Sequence, residues 1–254
     1  MISIKSEREI ELMRKAGKIM KEIHDELAKA IKPGITTKQL DKVINNIIEK
    51  YGAISGEYMY PSPIGLDPFP GHACISVNDE IIHGVPGDRI LKEGDIVSID
   101  LVIEKDGYCA DAARTYAVGK ISKNAEKLIK VTKKSFFQAM KVAKEGARIG
   151  DISNAIEKFV KENGFDVIHE YQGHGIGSEM HEEPGIPNYG KAGKGPRLKK
   201  GMTLAIEPMV VEGSRDILDD DPDGWTVRTA DGKRAAHYEN TIVITDGEPE
   251  ILTI

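Results

Sequence analysis

Three segments of the sequence occur twice, in the same order, in its two halves. The stretch KPGITTKQLDKVINNIIEKYG at 32–52 corresponds without a gap to KEGARIGDISNAIEKFVKENG at 144–164. Further on, LKEGDIVSID at 91–100 corresponds to LKKGMTLAIE at 198–207, and DAARTYAVG at 111–119 corresponds to ENTIVITDG at 239–247. Chance similarity between short Lys-Gly segments is the alternative, but three matches in one order favour an internal duplication. The sequence therefore predicts one domain, 1–254, built of two related halves at about 1–120 and 121–254.

Apolar residues at helical spacing predict two helices in each half. The predicted helices cover 6–31, a stretch from Thr37 to the residue before Gly52, 122–144 and 151–163. His24 lies among charged residues of the first helix and is expected at the surface. The segment 53–71, rich in Pro, Gly and aromatic residues, is predicted to be a long ordered loop. The expected fold class is α+β, a duplicated pseudo-twofold domain with an antiparallel sheet inside and helices outside.

A β-hairpin is predicted where the first half contains two acidic residues in apolar surroundings. Ile96–Glu104 and Tyr108–Val118 are rich in β-branched and aromatic residues, and Asp106-Gly107 between them suits a two-residue type I′ turn. The register imposed by this turn puts Asp100 and Asp111 on one face as diagonal neighbours, roughly 7–8 Å apart at Cα. Both carboxylates can then reach one cation.

The internal duplication adds two further acids to this pair. The matched segments place Glu207 at the position of Asp100, and Glu239 at the position of Asp111. We therefore expect the four carboxylates to meet near the pseudo-twofold axis. A single Asp on a strand is more often a solvated residue on an exposed face. Apolar residues flank Asp100 on both sides, however, so its strand is predicted to be buried.

Buried carboxylates repel one another unless they are protonated or bound to a cation. His174 stands between two glycines in YQGHGIG, which leaves its imidazole free of packing and lets a ligand approach the backbone. Oxygen-rich sets with a nitrogen ligand suit divalent ions such as Mn, Fe, Co or Zn. Because four carboxylates exceed what one ion needs, two ions about 3.5–4 Å apart are expected, a pair that activates water and stabilises an oxyanion.

The composition argues against several other classes of protein. A net charge of −6 and a pI of about 5.7 do not suit a broad nucleic-acid or anionic-membrane surface. The chain has no apolar run of the length of a membrane span and no signal peptide, so a cytoplasmic location is expected. Cys74 and Cys109 fit reduced thiols better than a disulfide framework. The acidic stretch 216–223 is expected to be a solvated turn.

The motifs DIVSID, DGYCAD, GHGIG, HEEP, MTLAIEPM, DGWTV and HYENT resemble those of type I methionine aminopeptidase, over essentially the whole chain. The resemblance implies the pita-bread fold and a dinuclear metal centre. It also implies removal of the N-terminal methionine from nascent proteins and peptides, with a preference for a small second residue. The implied metal ligands are Asp100, which chelates one ion, the bridging Asp111 and Glu239, and His174 and Glu207, which complete one ion's shell.

The same resemblance assigns catalytic and substrate-binding residues. From its own sequence context, His83 would be a structural residue. The resemblance instead implies that His83 and His181 contact the scissile amide and that Glu207 shuttles a proton. The implied pocket for the methionine side chain is formed by Phe69, Cys74, His83, Met180, His181 and Trp225. The chain departs from the family pattern at Leu66, Phe69, Met180, His237 and Asn240, positions that affect pocket shape and the hydrogen bonds behind the ligands.

Three alternatives share this fold. Aminopeptidase P and prolidase usually carry a further amino-terminal domain, for which this chain has no room. Type II methionine aminopeptidases carry an inserted helical subdomain, and the intervals between Gly175, Glu207 and Glu239 are too short for it. A non-catalytic peptide-binding relative would have lost metal ligands, whereas here all five positions hold competent residues. The expected partners are polypeptide N-termini beginning with Met, at the ribosome or free of it, and a monomer is the default.

Overall fold

The computed structural model of the chain describes residues 1–62 and 65–254. Of the predicted loop at 53–71, Pro63 and Ile64 lie outside the described residues. Each half contributes two helices, as predicted. The helices are α1 (Glu7–Ala30), α2 (Thr37–Tyr51), α3 (Lys123–Val142) and α4 (Ile149–Glu162). Within the described parts of the chain, none of these helices combines the length and the apolar character that crossing a membrane demands.

Local side-chain chemistry sets the ends of the first two helices. The Ser6 hydroxyl accepts a hydrogen bond from the backbone N–H of Glu9, and the Glu9 carboxylate accepts one from the backbone N–H of Ser6. Thr36 and Gln39 form the same reciprocal capping box at the start of α2. At the end of α2, Gly52 adopts the left-handed conformation that glycine tolerates best (φ 54°).

The strands pair antiparallel and lie between the helix pairs. They are β1 (Ile54–Ser55), β2 (Cys74–Val77), β3 (Glu80–Ile82), β4 (Ile96–Lys105), β5 (Tyr108–Ala117), β6 (Asp166–Val167), β7 (Gln172–Gly175), β8 (Glu182–Pro187), β9 (Thr203–Ile206), β10 (Met209–Val211), β11 (Ile217–Leu218), β12 (Val227–Thr229), β13 (Ala235–His237), β14 (Asn240–Val243) and β15 (Glu250–Ile251). In the first half β4 pairs with β1, β2 and β5; in the second half the order is β15-β14-β9-β7-β8. Two smaller sheets, β13-β10-β6 and β11-β12-β3, complete the described strands.

The β4–β5 hairpin has the predicted register. Asp106 and Gly107 both have positive φ, 55° and 80°, as a type I′ turn requires. Asp111 lies opposite Val102, and Asp100 lies opposite Ala113. Asp100 and Asp111 are therefore diagonal neighbours on one face of the sheet.

Each helix pair covers the strands of its own half. Leu27 of α1 and Ile99 of β4 belong to one fully buried cluster, which also contains the apolar face of α2. Phe136 of α3 and Leu204 of β9 belong to a second cluster, which also contains the apolar face of α4. The halves meet where β5 lies against β14. The two related units thus face each other across their sheets, as the internal duplication predicted.

The prediction for His24 is wrong. This residue is only 6% exposed, because it lies on the face of α1 that packs against β5. Its ring nitrogens lie 2.8 Å from the Tyr116 hydroxyl and 3.2 Å from the Ala112 carbonyl oxygen. Burial, helped by the charge of Arg114, lowers the pKa of His24 to about 3, so the ring is neutral.

Candidate active site

The predicted site residues lie in one cavity between the two halves. Its volume is about 660 Å³, and both the four acids and the two histidines expected at the scissile bond line it. The six residues implied for the methionine pocket line the same cavity. The cavity is thus lined by residues that are far apart in the sequence.

Strand pairing brings the acids of the two halves together. Asp111 of β5 is tied to the second half by its backbone N–H, which donates to the Thr241 hydroxyl (2.8 Å). The backbone N–H of Glu239, just before β14, donates to the carbonyl oxygen of Ala113 (3.0 Å). Glu207 directly follows β9, the strand next to β14. The duplicated strands therefore deliver corresponding acids to one place.

His174 completes the group that the sequence singled out. Its Nε2 lies 3.6 Å from Asp111 Oδ2 and 3.7 Å from Glu207 Oε1. Its Nδ1 lies 2.8 Å from the carbonyl oxygen of Gly175, which can only accept, so Nδ1 carries the proton. Whenever the ring is neutral, the lone pair of Nε2 points at the carboxylates, which is the orientation of a metal-ligating imidazole.

The glycines beside His174 have a different reason from the one expected. A Cβ on Gly173 would lie 2.4 Å from the carbonyl oxygen of Ala205, and one on Gly175 would lie 2.2 Å from that of Glu183. Close approach of the neighbouring backbone therefore requires glycine here, rather than access for a ligand. This close packing of the backbone holds His174 in place.

The acid cluster is short of positive charge. Asp111 and Glu239 are 5% and 1% exposed, and Asp111 Oδ1 and Glu239 Oε1 have no hydrogen-bond partner among the described residues. Burial and the neighbouring acids raise the pKa of Glu239 well above its usual value. Burial also raises the pKa of Asp100, to about 7. Burial alone would lower the pKa of His174, but Asp111 and Glu207 outweigh it and raise that pKa to about 9.

The donor set fits divalent metal. Ligand atoms of Asp111, His174 and Glu239 lie within 4.8 Å of one another, and so do those of Glu207, His237 and Glu239. Unpaired, buried carboxylate oxygens are costly unless a cation neutralises them. The orphaned oxygens and the upward pKa shifts are what such a cluster shows when it is built to hold cations.

His83 and His181 stand over the acid cluster as neutral rings. Burial, with the charges of His237 and His181, lowers the pKa of His83 to about 4, and burial together with His174 lowers that of His181. The His181 and His174 rings are 4.5 Å apart at their centroids. His83 has a positive φ of 58°, uncommon outside glycine, and its ring meets Tyr171 edge to face. A strained backbone at a cavity is typical of functional residues.

Aromatic and apolar side chains form the remainder of the cavity wall. Phe69 and Trp225 meet edge to face at 5.3 Å, and the Trp225 indole N–H donates to the carbonyl oxygen of Asp67 (3.3 Å). Cys74 lies opposite Asp100 in the β2–β4 register, and Met180 packs against Gly56.

The acidic stretch 216–223, predicted to be a solvated turn, is ordered by local contacts, because Asp221 pairs with Arg228 (2.8 Å).

The positions that depart from the family pattern have different surroundings. Leu66 is 52% exposed and lies against Gly224, beside the cavity wall. Asn240 is fully buried, and its Oδ1 accepts from Arg114 (2.6 Å). His237 is also buried, and it faces the acid cluster directly.

Sequence reasoning missed a further buried carboxyl group in the cavity, that of Glu57. Glu57 lies two residues after β1, and its Oε1 accepts from the backbone N–H of Val102 (2.7 Å). Its pKa is raised well above the usual value, first by burial and then by Asp100 and Asp111. No local sequence pattern predicts that Glu57 lies in the cavity, because its position depends on the pairing of β1 with β4.

Comparisons with known proteins identify the relatives of this chain. Residues 11–246 match the model of metallopeptidase family M24. The chain is 52% identical over 254 residues to a methionine aminopeptidase of Clostridium perfringens, covering 100% of this chain and 99% of that protein. A crystal structure of methionine aminopeptidase from Thermotoga maritima has a TM-score of 0.95 and 44% identity, covering 100% of this chain and 99% of the other. A prolidase from Pyrococcus horikoshii, at 22% identity and a TM-score of 0.77, shows likeness of fold alone.

The predicted pita-bread fold class is confirmed by these neighbours. Family M24 consists of metallopeptidases, which accounts for a buried acid cluster with orphaned oxygens. The full-length similarity and the cavity chemistry lead to one conclusion: the chain belongs to the type I methionine aminopeptidases of metallopeptidase family M24, and it is a metal-dependent exopeptidase.

Proposed function

We propose that this chain removes the N-terminal methionine from nascent proteins and peptides by hydrolysing the first peptide bond, and that it favours a small second residue. The observation that carries the proposal is the convergence of four acids and His174 in one cavity beside a mixed aromatic and sulfur-containing wall. Full-length relatives at 52% identity that are named methionine aminopeptidases support it.

The ligands that we propose for the metal are the five residues that the sequence singled out. Asp100 would chelate one ion, and Asp111 and Glu239 would bridge two. His174 and Glu207 would complete one shell, since both lie within 3.7 Å of each other at their nearest nitrogen and oxygen atoms. Two divalent ions, Co, Mn, Fe or Zn, would supply the Lewis acidity that lowers the pKa of water and polarises a carbonyl group.

The protein side chains would bind, orient and exchange protons around the scissile bond. The neutral rings of His83 and His181 can donate N–H hydrogen bonds to the peptide group, which steadies negative charge developing on its oxygen. Glu207 would shuttle the proton to the leaving amine. Phe69, Cys74, Met180 and Trp225, with the two histidines, would hold the methionine side chain, because a Met thioether packs well against aromatic and sulfur-containing walls.

The organisation around this site is also part of the proposal. We propose one catalytic domain, 1–254, whose halves at about 1–120 and 121–254 each contribute acids to the centre. A monomer suffices for it, because both sets of ligands come from one chain. Its substrates would be polypeptides beginning with Met, in the cytoplasm, with or without the ribosome.

Metal-supplemented hydrolysis of Met-Ala-Ser, compared with Ala-Pro-Ala, tests the proposal. Methionine should be released from the first peptide, and the second should stay intact. Asp111→Ala and Glu207→Ala should lose activity together with bound metal, because each removes a ligand. His181→Ala should lower turnover by about 10²–10⁴-fold while metal stays bound. Full activity of either acidic variant, or cleavage of Ala-Pro-Ala alone, would refute the assignment.

A further inference from the structure

His237 is a buried imidazole on the acid cluster that the proposed ligand set does not use. It ends β13 and is 1% exposed. Its Nε2 lies 3.5 Å from Glu207 Oε2 and 3.9 Å from Glu239 Oε2, and its Nδ1 lies 4.0 Å from Asp100 Oδ2. Neither ring nitrogen has a hydrogen-bond partner within the part of the chain that the structure describes. An imidazole this deeply buried is costly unless it acquires a partner.

Hydrogen bonds hold the backbone of His237, and burial leaves its ring little room to turn elsewhere. Its backbone N–H donates to the Thr115 hydroxyl (2.9 Å), and that hydroxyl lies 2.8 Å from the His237 carbonyl oxygen. The Thr115 hydroxyl also contacts the Ser98 hydroxyl at 2.8 Å. On its other side, β13 pairs with β10 through Met209. Strands of both halves thus aim the ring at the acids.

Glu207 lies between two imidazoles, with one oxygen toward each. Its Oε1 is the atom near His174, while its Oε2 is the atom near His237. An N–H on His237 Nε2 would reach hydrogen-bonding distance of Oε2 after a shift of roughly half an ångström. Such a bond would fix the rotation of the carboxylate and leave Oε1 turned toward His174.

We propose that His237 is a positioning residue that donates a hydrogen bond from Nε2 to Glu207 Oε2 and so orients Glu207 as a metal ligand. This inference rests on the proposed metal site. Residues that orient metal ligands in this way commonly change metal affinity by about 10–100-fold when they are removed. Direct ligation by His237 is the alternative, since its ring, Glu207 and Glu239 lie close enough to share an ion.

Two substitutions of the full-length protein separate these roles. His237→Gln keeps an N–H donor of similar reach but removes the imidazole lone pair, and His237→Leu keeps the bulk but removes the donor. Mn(II) stoichiometry and dissociation constants are measured by titration calorimetry, and kcat and KM are measured with Met-Ala-Ser. Unfolding in EDTA checks that each variant is folded; if His237→Leu does not fold, His237→Met replaces it.

We expect His237→Gln to bind Mn(II) within about threefold of wild type, and His237→Leu to bind about 10–100-fold more weakly with a lower kcat. Rescue by glutamine is a result that loss of packing alone would not produce. Unchanged binding in the leucine variant would overturn the inference. Equal loss in both variants would overturn it in favour of direct ligation. A wild-type protein that binds no Mn(II) would instead overturn the metal site itself, and this inference with it.

Discussion

Replacing Glu239 by glutamine should stabilise the metal-depleted protein and abolish its stabilisation by metal. Glu239 is almost fully buried beside Asp111 and Glu207, and its pKa lies well above the usual 4.5. At pH 7 the folded protein therefore either holds a buried charge or takes up a proton there. Protonating a carboxyl group of pKa 4.5 at pH 7 costs about 3 kcal/mol, so a neutral amide should raise the free energy of unfolding by about 1–3 kcal/mol.

With metal bound, the wild-type protein should instead be more stable than Glu239→Gln. Each ion present at a hundredfold excess over its dissociation constant adds about 2.7 kcal/mol to the free energy of unfolding. The wild-type protein should gain this for each bound ion. A glutamine at 239 offers one neutral oxygen in place of a bridging carboxylate, so the variant should gain far less.

Urea unfolding followed by circular dichroism at pH 7, in EDTA and in excess Mn(II), measures both effects. Glu248→Gln is the matched control, because that side chain is 75% exposed and lies outside the cavity; its unfolding should change by less than about 0.5 kcal/mol in either buffer. The reasoning is refuted if Glu239→Gln loses more than about 1 kcal/mol in EDTA, or if Mn(II) stabilises it as much as wild type.

Three further predictions concern stability. In EDTA, the free energy of unfolding should fall as pH rises from about 6.5 to 9 in urea titrations, because folding raises the pKa of His174 from 6.5 to about 9 and the proton it gains on folding is lost over that range; a rise over that range would contradict it. Lys5→Met should cost about 1–3 kcal/mol by leaving the half-buried Glu182 carboxylate, now 2.5 Å from Lys5 Nζ, without its cation. Adding Glu182→Gln should recover much of that loss, and no recovery would argue against the ion pair. Gly17→Ala should lower the melting temperature measurably, since its Cβ would lie 1.8 Å from a backbone carbonyl oxygen; an unchanged value would show that the C-terminal segment yields.

The helices and the hairpin were predictable because neighbours in the chain specify them. The capping pairs of α1 and α2 lie three residues apart, and Asp106-Gly107 alone fixes the register that makes Asp100 and Asp111 diagonal neighbours. The duplication then extended this local result to Glu207 and Glu239. The positions of side chains that depend on one turn or one repeat can therefore be predicted from the sequence.

Errors and omissions occurred where a residue's surroundings come from elsewhere in the chain. His24 has charged neighbours in sequence, yet it packs against β5. The glycines beside His174 suggested room for a ligand. They are required instead because the backbone of β9 and that of Glu183 approach them closely. Glu57 is not part of a recognisable motif. It reaches the cavity because β1 ends near Val102, whose backbone N–H donates to its carboxylate.

By itself, the sequence predicted the duplicated architecture, the hairpin register and the five candidate ligands, because periodicity, turn chemistry and internal repeats are properties of the chain. Only the tertiary structure decided that Asp111 Oδ1 and Glu239 Oε1 are left without partners among the described residues, and that His237 stands behind Glu207. Burial and orientation are set by segments more than a hundred residues apart packing together, and no local pattern records which side chain a neighbouring strand will cover.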